Sequence, residues 1–163
     1  MNRAQRRAQA RQKVGASKPA RFVRDRLAGL RLLHLARTYE PLEMIDEHLI
    51  TRAAFERLRD GSGTEDDFDR LAMVLNVGLI RAEQIHPDLV ASMHLAQDAM
   101  IRMRERHERG LRFGFDAQGL QAVPLALDHY EAVMDQSSPL QMKKAIEAAW
   151  GRIWDGDTLG VMS

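Results

Sequence analysis

The stretch from Gly61 to Ile85, GSGTEDDFDRLAMVLNVGLIRAEQI, limits what this chain can fold into more than any other. Gly61-Ser62-Gly63 is a hard stop, because glycine just past a periodic run takes the left-handed helix-ending conformation without a steric penalty. Thr64 then offers its hydroxyl to the free N–H groups of a new helix, and Glu65, Asp66 and Asp67 fill the first turn, where the helix dipole favours acids. Asp67 holds the third position of a capping box, although a glutamate would reach back more easily. Phe68, Leu71, Ala72, Leu75, Leu79 and Ala82 recur at i, i+3, i+4 spacing, and Met73, Val74, Val77 and Ile80 add apolar groups on the other faces. A helix that is apolar most of the way round belongs at the centre of a bundle. Gly78 in its interior costs roughly 1 kcal/mol against alanine, which a close approach by another helix would explain.

The flanking segments read as helices too. Phe22, Val23, Leu27, Leu30 and then Leu33 or His34 predict a core-facing helix over about 20–37. Pro41 suits the first turn of the next, whose stripe is Leu42, Ile45, Leu49, Ala53 or Ala54, and Leu58; Thr51, a competent cap, allows a break near Ile50. Pro87 opens another, with the seam Leu89, Met93, Ala96, Met100, Met103, His107, a favourable Glu105–Arg109 pair and a stop at Gly110. Asp116 is a cap for a helix with the seam Leu120, Val123, Leu127, Tyr130, Met134. Gly119 and Pro124 predict a kink there or a start nearer Val123. Ser138-Pro139 starts the last helix, which carries Met142, Ile146, Ala149, Trp150, Ile153 and Trp154 up to Gly156. No run alternates with period two and no internal repeat is present. The expected fold is all-α: a bundle of five to six helices with short loops over 21–156, a basic flexible arm over 1–20 and a frayed tail over 157–163.

Composition narrows the class. A length of 163 residues with 45% hydrophobic and 29% charged residues suits one globular domain with a real core. The absence of cysteine excludes disulfides, thiolate metal sites and a cysteine nucleophile, and it fits a reducing cytoplasm. No apolar run approaches the ~18–20 residues of a membrane span. The basic N-terminus lacks the apolar core of a secretory signal; its arginines and glutamines without acids mimic a transit peptide, a reading nothing else supports.

The net charge of +1 hides an asymmetry. Residues 1–24 carry eight basic side chains and no acid, which leaves 16 basic and 23 acidic residues in the remainder. Residues 40–69 alone hold ten acids against three basic residues. Arg3, Arg6, Arg7, Arg11, Lys13 and Lys18 are therefore the candidate contacts to nucleic acid or to an acidic partner, and a plain solvated tail accounts for them equally well. Glu65, Asp66, Asp67 and Asp69 are the candidate surface for a basic protein partner, with a solvated face as the bland alternative.

The sequence holds little that resembles a catalytic or metal signature. Of the six histidines only His86 has a glutamate three positions before it, Glu83, and Pro87 ends that helix; a helical di-metal site needs two such motifs. No His-Glu-x-x-His pattern, no Gly-x-Ser-x-Gly elbow and no phosphate-cradling glycine loop occurs. LAMVLNVGLIRAEQI has a superficial helix-turn-helix likeness. Its second helix would be too short and its first turn is acidic, so one unbroken helix is the better reading. The methionines on the Met93–Met103 face could line an adaptable groove, but a methionine stripe at helical spacing is more often core. The expectations are no metal, no cofactor and no catalytic residue.

Two blocks, DGSGTEDDFDRLAMVLNVG and LQAVPLALDHYEAVMDQSSPLQMKKAIEAAW, with the MNRAQRRA opening, resemble small all-helical accessory proteins of phages, prophages and plasmids of Gram-negative bacteria. The resemblance covers roughly residues 55–150. It implies a cytoplasmic accessory role and transfers no site residues. The functional expectation is a non-enzymatic binding protein acting stoichiometrically on a macromolecular partner, for example in host defence or regulation. A nucleic-acid binder using the arm is the alternative, and pairing of the basic and acidic parts between two copies would make a homo-oligomer.

Overall fold

The computed structural model describes residues 41–160 and 162, with side chains from Glu47 onward. The arm over 1–20 and the helix expected over 20–37 lie outside the described residues. Within them the protein is all-helical: α1 (Pro41–Asp60), α2 (Glu65–Ile85), α3 (Pro87–Glu108), α4 (Gly119–Asp135) and α5 (Pro139–Asp155).

The capped stretch forms as its residues dictate. Gly61 takes φ +77°, and the N–H groups of Gly61 and Ser62 return to the carbonyls of Leu58 (3.3 Å) and Arg57 (3.0 Å), the paired bonds of a Schellman ending for α1. Asp67 N–H donates to Thr64 Oγ1 at 3.4 Å while Thr64 N–H donates to Asp67 Oδ2 at 3.1 Å, so the aspartate does complete the capping box. Helix α2 then runs without a break to Ile85, and Gly78 begins no turn.

Helix α2 packs against α1, α3, α4 and α5, while α3 also packs on α4 and α5 rests chiefly on α2. Every residue from Val74 to Ala82 is buried, which is why the helix had to be apolar on all sides. Phe68, Leu71 and Leu75 are fully buried, each contributing about 1.5–3 kcal/mol relative to exposure. At Gly78 both α3 and α4 press close: a Cβ there would lie 3.0 Å from Met93 and 3.2 Å from Tyr130. The methionines of α3 are core, since Met93, Met100 and Met103 have no exposed surface, and the adaptable-groove reading for them falls.

Several helix details differ from expectation. Helix α1 does not break near Ile50; Thr51 is buried inside it with an unpaired hydroxyl rather than capping anything. Its buried face is Thr51, Ala54, Phe55 and Leu58, so Leu49 points outward at 62% exposure. Helix α4 starts at Gly119, not near Val123. Asp116 anchors that start, accepting the Gly119 N–H at 2.7 Å on its carboxylate and the Leu120 N–H at 3.0 Å on its carbonyl. Pro124 removes only the bond to the Leu120 carbonyl in the first turn, and the helix continues through it. Leu120 itself is exposed, while Val123, Leu127, Tyr130 and Met134 keep the predicted seam. Because α3 ends at Glu108, Arg109 leaves the helix, and Arg104–Glu108 at 3.9 Å takes the place of the expected Glu105–Arg109 pair.

The tail is not frayed in the part described. Leu159 is buried, and its carbonyl accepts Asn76 Nδ2 at 2.8 Å. Thr158 Oγ1 and Gln97 Nε2 both donate to Asn76 Oδ1, at 2.9 and 2.8 Å, so a buried amide of α2 draws the chain end across α2 and α3. Arg104 donates to the Gly160 carbonyl at 3.3 Å. A buried polar side chain needs partners, and the tail supplies them.

Candidate functional site

The four acids singled out on α2 meet different fates. Asp67 is buried and bound from the preceding helix by Arg57, whose Nη2 lies 2.5 Å and Nε 3.1 Å from Oδ1, with Nε also 3.0 Å from Oδ2. Those bonds, with the Thr64 N–H, hold the Asp67 carboxyl below the usual carboxylate range. It is a structural acid, and the expectation that it faces a partner is corrected. Asp69 Oδ1 accepts the Met162 N–H at 2.5 Å and is committed to the tail. Glu65 is exposed, with Oε1 4.0 Å from His107 Nε2. Asp66 is exposed on the surface of the same turn. The arm residues Arg3, Arg6, Arg7, Arg11, Lys13 and Lys18 lie outside the described residues.

What the tertiary structure adds is a groove. Between α1 and α2 an open depression of about 640 Å³ is lined by Glu47, Ile50, Arg57, Asp66, Asp67, Asp69, Arg70, Met73 and Val74. Its apolar lining is Ile50 (45% exposed), Met73 and Val74. Its rim carries four carboxylates against two guanidinium groups, one of which is spent on Asp67, while Arg70 sits 3.6 Å from Glu47. The groove thus combines a net acidic lining with apolar side chains, a combination suited to the apolar stripe of a basic amphipathic segment.

No protein-family model, curated protein or solved structure matches the chain.

The remaining polar clusters are structural in their chemistry. Ser92 Oγ lies 2.6 Å from His129 Nδ1, the one serine–histidine contact among the described residues. That hydroxyl also donates to the Leu89 carbonyl at 2.9 Å and is buried. The Leu89 carbonyl therefore competes with His129 for the single hydroxyl proton. No group of three His, Cys, Asp or Glu side chains able to hold a metal occurs among the described residues. His86, the only histidine with a glutamate three residues before it, sits between α2 and α3 and accepts the Asp88 N–H at 3.3 Å.

Three further arginines make ion pairs to other elements. Arg52 of α1 reaches both Asp128 (2.5 Å) and Glu131 (2.8 Å) of α4. Arg152 of α5 grips both oxygens of Glu83 of α2 at 2.6 and 2.8 Å and keeps that carboxyl below its ordinary range. Arg102 does the same for Asp116 at 2.7 Å. Arg81 is different: it is buried, gives its Nε–H to Ser137 Oγ at 3.0 Å and an Nη1–H to Gln84, and burial lowers its pKa. Among the described residues no helix is long and apolar enough to cross a membrane.

The groove was only partly legible beforehand. The acids were found from their density along the chain. Ile50 escapes a reading of the sequence because the helical stripe runs through Leu49, one residue away. Met73 and Val74 read in the sequence simply as extra apolar faces of a buried helix.

Proposed function

We propose that this protein is a non-enzymatic binding protein that takes a basic, amphipathic segment of a partner protein into the α1–α2 groove. The observation that carries the reading is that the exposed apolar side chain of Ile50 lines one groove with the acids Glu47 and Asp66. Charge gives such a contact its orientation and on-rate, and the desolvated apolar centre gives it affinity. The likeness to accessory proteins of mobile elements is in keeping with a stoichiometric, cytoplasmic role of this kind, for example on a host defence or regulatory factor.

The test is a titration of full-length protein with two synthetic helical peptides of matched length, one of leucine and lysine, the other of leucine and glutamate. The basic peptide should bind, more weakly as salt rises, and Asp66→Lys or Ile50→Glu should each weaken it tenfold or more with the helical circular dichroism unchanged. Equal affinity for both peptides, or full binding by the two variants, would sink the reading.

A second reading rests on the eight basic residues and no acid in residues 1–24. Six or seven phosphate contacts from such an arm give sequence-independent, steeply salt-dependent binding to nucleic acid. Duplex DNA and RNA titrated with full-length protein and with a chain lacking residues 1–20 decide it. Binding that survives the truncation, or none at any salt, refutes it.

A further inference from the structure

Of the two arginines that line the α1–α2 groove, only one is fastened. Arg57 holds the buried Asp67 carboxylate through bonds from its Nε and Nη2, and both belong to the joint between the helices. Arg70 is held differently. Its Nη1 lies 3.6 Å from Glu47 Oε1, beyond hydrogen-bond distance, and both side chains are 41% exposed. Exposed ion pairs held this loosely contribute little to stability, and salt screens them further.

The position of this weak pair matters more than its strength. Glu47 belongs to α1 and Arg70 to α2, so the contact spans the groove from one wall to the other. Ile50 comes three residues after Glu47, and Met73 and Val74 come three and four after Arg70. At that spacing each charged partner shares a flank of its helix with the apolar lining. The Arg70 guanidinium therefore stands beside the apolar side chains, where a basic group of an incoming segment would be drawn. A second acid lies within reach on its own helix. Asp66 is four residues earlier, and acid before base is the favourable i, i+4 order, yet Arg70 pairs with Glu47.

We propose that Arg70 is the groove's built-in competitor. It occupies Glu47 until a lysine or arginine of the bound segment takes that carboxylate, and it then turns back to Asp66. The groove is thus closed by a weak internal contact that a cation displaces, which favours segments carrying a basic side chain next to their apolar stripe. This rests on the groove being the site for a basic segment. The lining holds four carboxylates and two guanidinium groups, a net of −2, and loss of the Arg70 charge would make it −3 with Glu47 unopposed. Removing this one side-chain charge should tighten binding, the reverse of what loss of an ordinary contact does.

Titration of the leucine–lysine peptide into full-length wild type and Arg70→Gln tests it. Arg70→Gln should bind several-fold more tightly, with a steeper loss of affinity as salt rises. Arg70→Lys, which keeps the charge, should bind as wild type does. Glu47→Gln should weaken binding and cancel the gain from Arg70→Gln, because the contested carboxylate is gone. The exposure of both positions keeps folding out of question, and unchanged circular dichroism checks it. An Arg70→Gln protein that binds no better than wild type overturns the proposal and leaves the groove reading standing. A gain that persists undiminished in Glu47→Gln overturns it too, since general repulsion rather than exchange at Glu47 would be acting. No binding by either wild type or Arg70→Gln removes the groove reading, and this proposal with it.

Discussion

The Arg57 guanidinium closes on the Asp67 carboxylate with its Nη2 2.5 Å from Oδ1, joining the last turn of α1 to the first turn of α2 across the glycine stop. The same carboxylate receives the Thr64 N–H. One side chain therefore caps a helix, sets the angle between two helices and answers a charge from the neighbouring helix. That is why an acid in an exposed-looking run is buried.

This junction makes stability depend on pH in a defined direction. Hydrogen bonds from Arg57 depress the folded-state pKa of Asp67, so its contribution is present above the unfolded value of about 3.9 and is lost as pH falls through the folded value. Glu83 and Asp116, depressed by Arg152 and Arg102, act in the same sense. Asp67→Asn should be less stable than wild type at pH 7 and should lose less stability on acidification below about pH 4. Urea unfolding at graded pH measures both, and parallel pH profiles for the two proteins would contradict it.

The two glycines of the stop should respond for different reasons. Gly61 needs a left-handed conformation, so Gly61→Ala should cost about 1–2 kcal/mol. Gly63 is set by contact: a Cβ there would lie 2.6 Å from Leu58 Cδ2 and 2.9 Å from the Leu58 backbone Cα. The backbone atom cannot move aside as a side-chain tip can, and Gly63→Ala should cost about 1–3 kcal/mol by overpacking. Chemical denaturation of both variants checks this, and a neutral Gly63→Ala would show that the loop yields.

The docked tail predicts a large effect from a residue near the chain end. Leu159→Ala should cost about 2–3 kcal/mol, because the side chain is buried and its loss leaves a cavity over α2. A chain lacking residues 157–163 should lose at least as much, since Asn76 then loses the Leu159 carbonyl and the Thr158 hydroxyl. Thermal melts of the two variants are the measurement. A change within about 0.5 kcal/mol, the usual size for a surface site, would mean the tail carries no load.

Local chemistry determined a good deal of this protein before any packing was known. The glycine stop, the Thr64 cap with its Asp67 partner, the unbroken α2 and the Ser138–Pro139 start of α5 depend on residues within five positions of one another. Such contacts form whatever the rest of the chain does. The all-helical class followed from the same short-range periodicity.

Tertiary structure alone decided which of several apolar stripes faces inward. Leu49, Leu120, Ile146, Trp150 and Trp154 all sit at helical spacing with core residues, yet each is exposed. A stripe wider than the neighbouring helix can cover leaves one edge in water, and the spacing of residues along one helix does not reveal how wide its neighbour is. The same holds for charge. The acids at the start of α2 are alike in sequence, but Arg57 takes Asp67, the tail takes Asp69, and Asp66 is left lining the groove. Composition and capping set where the acids gather; long-range pairing decides which of them remain to meet a partner.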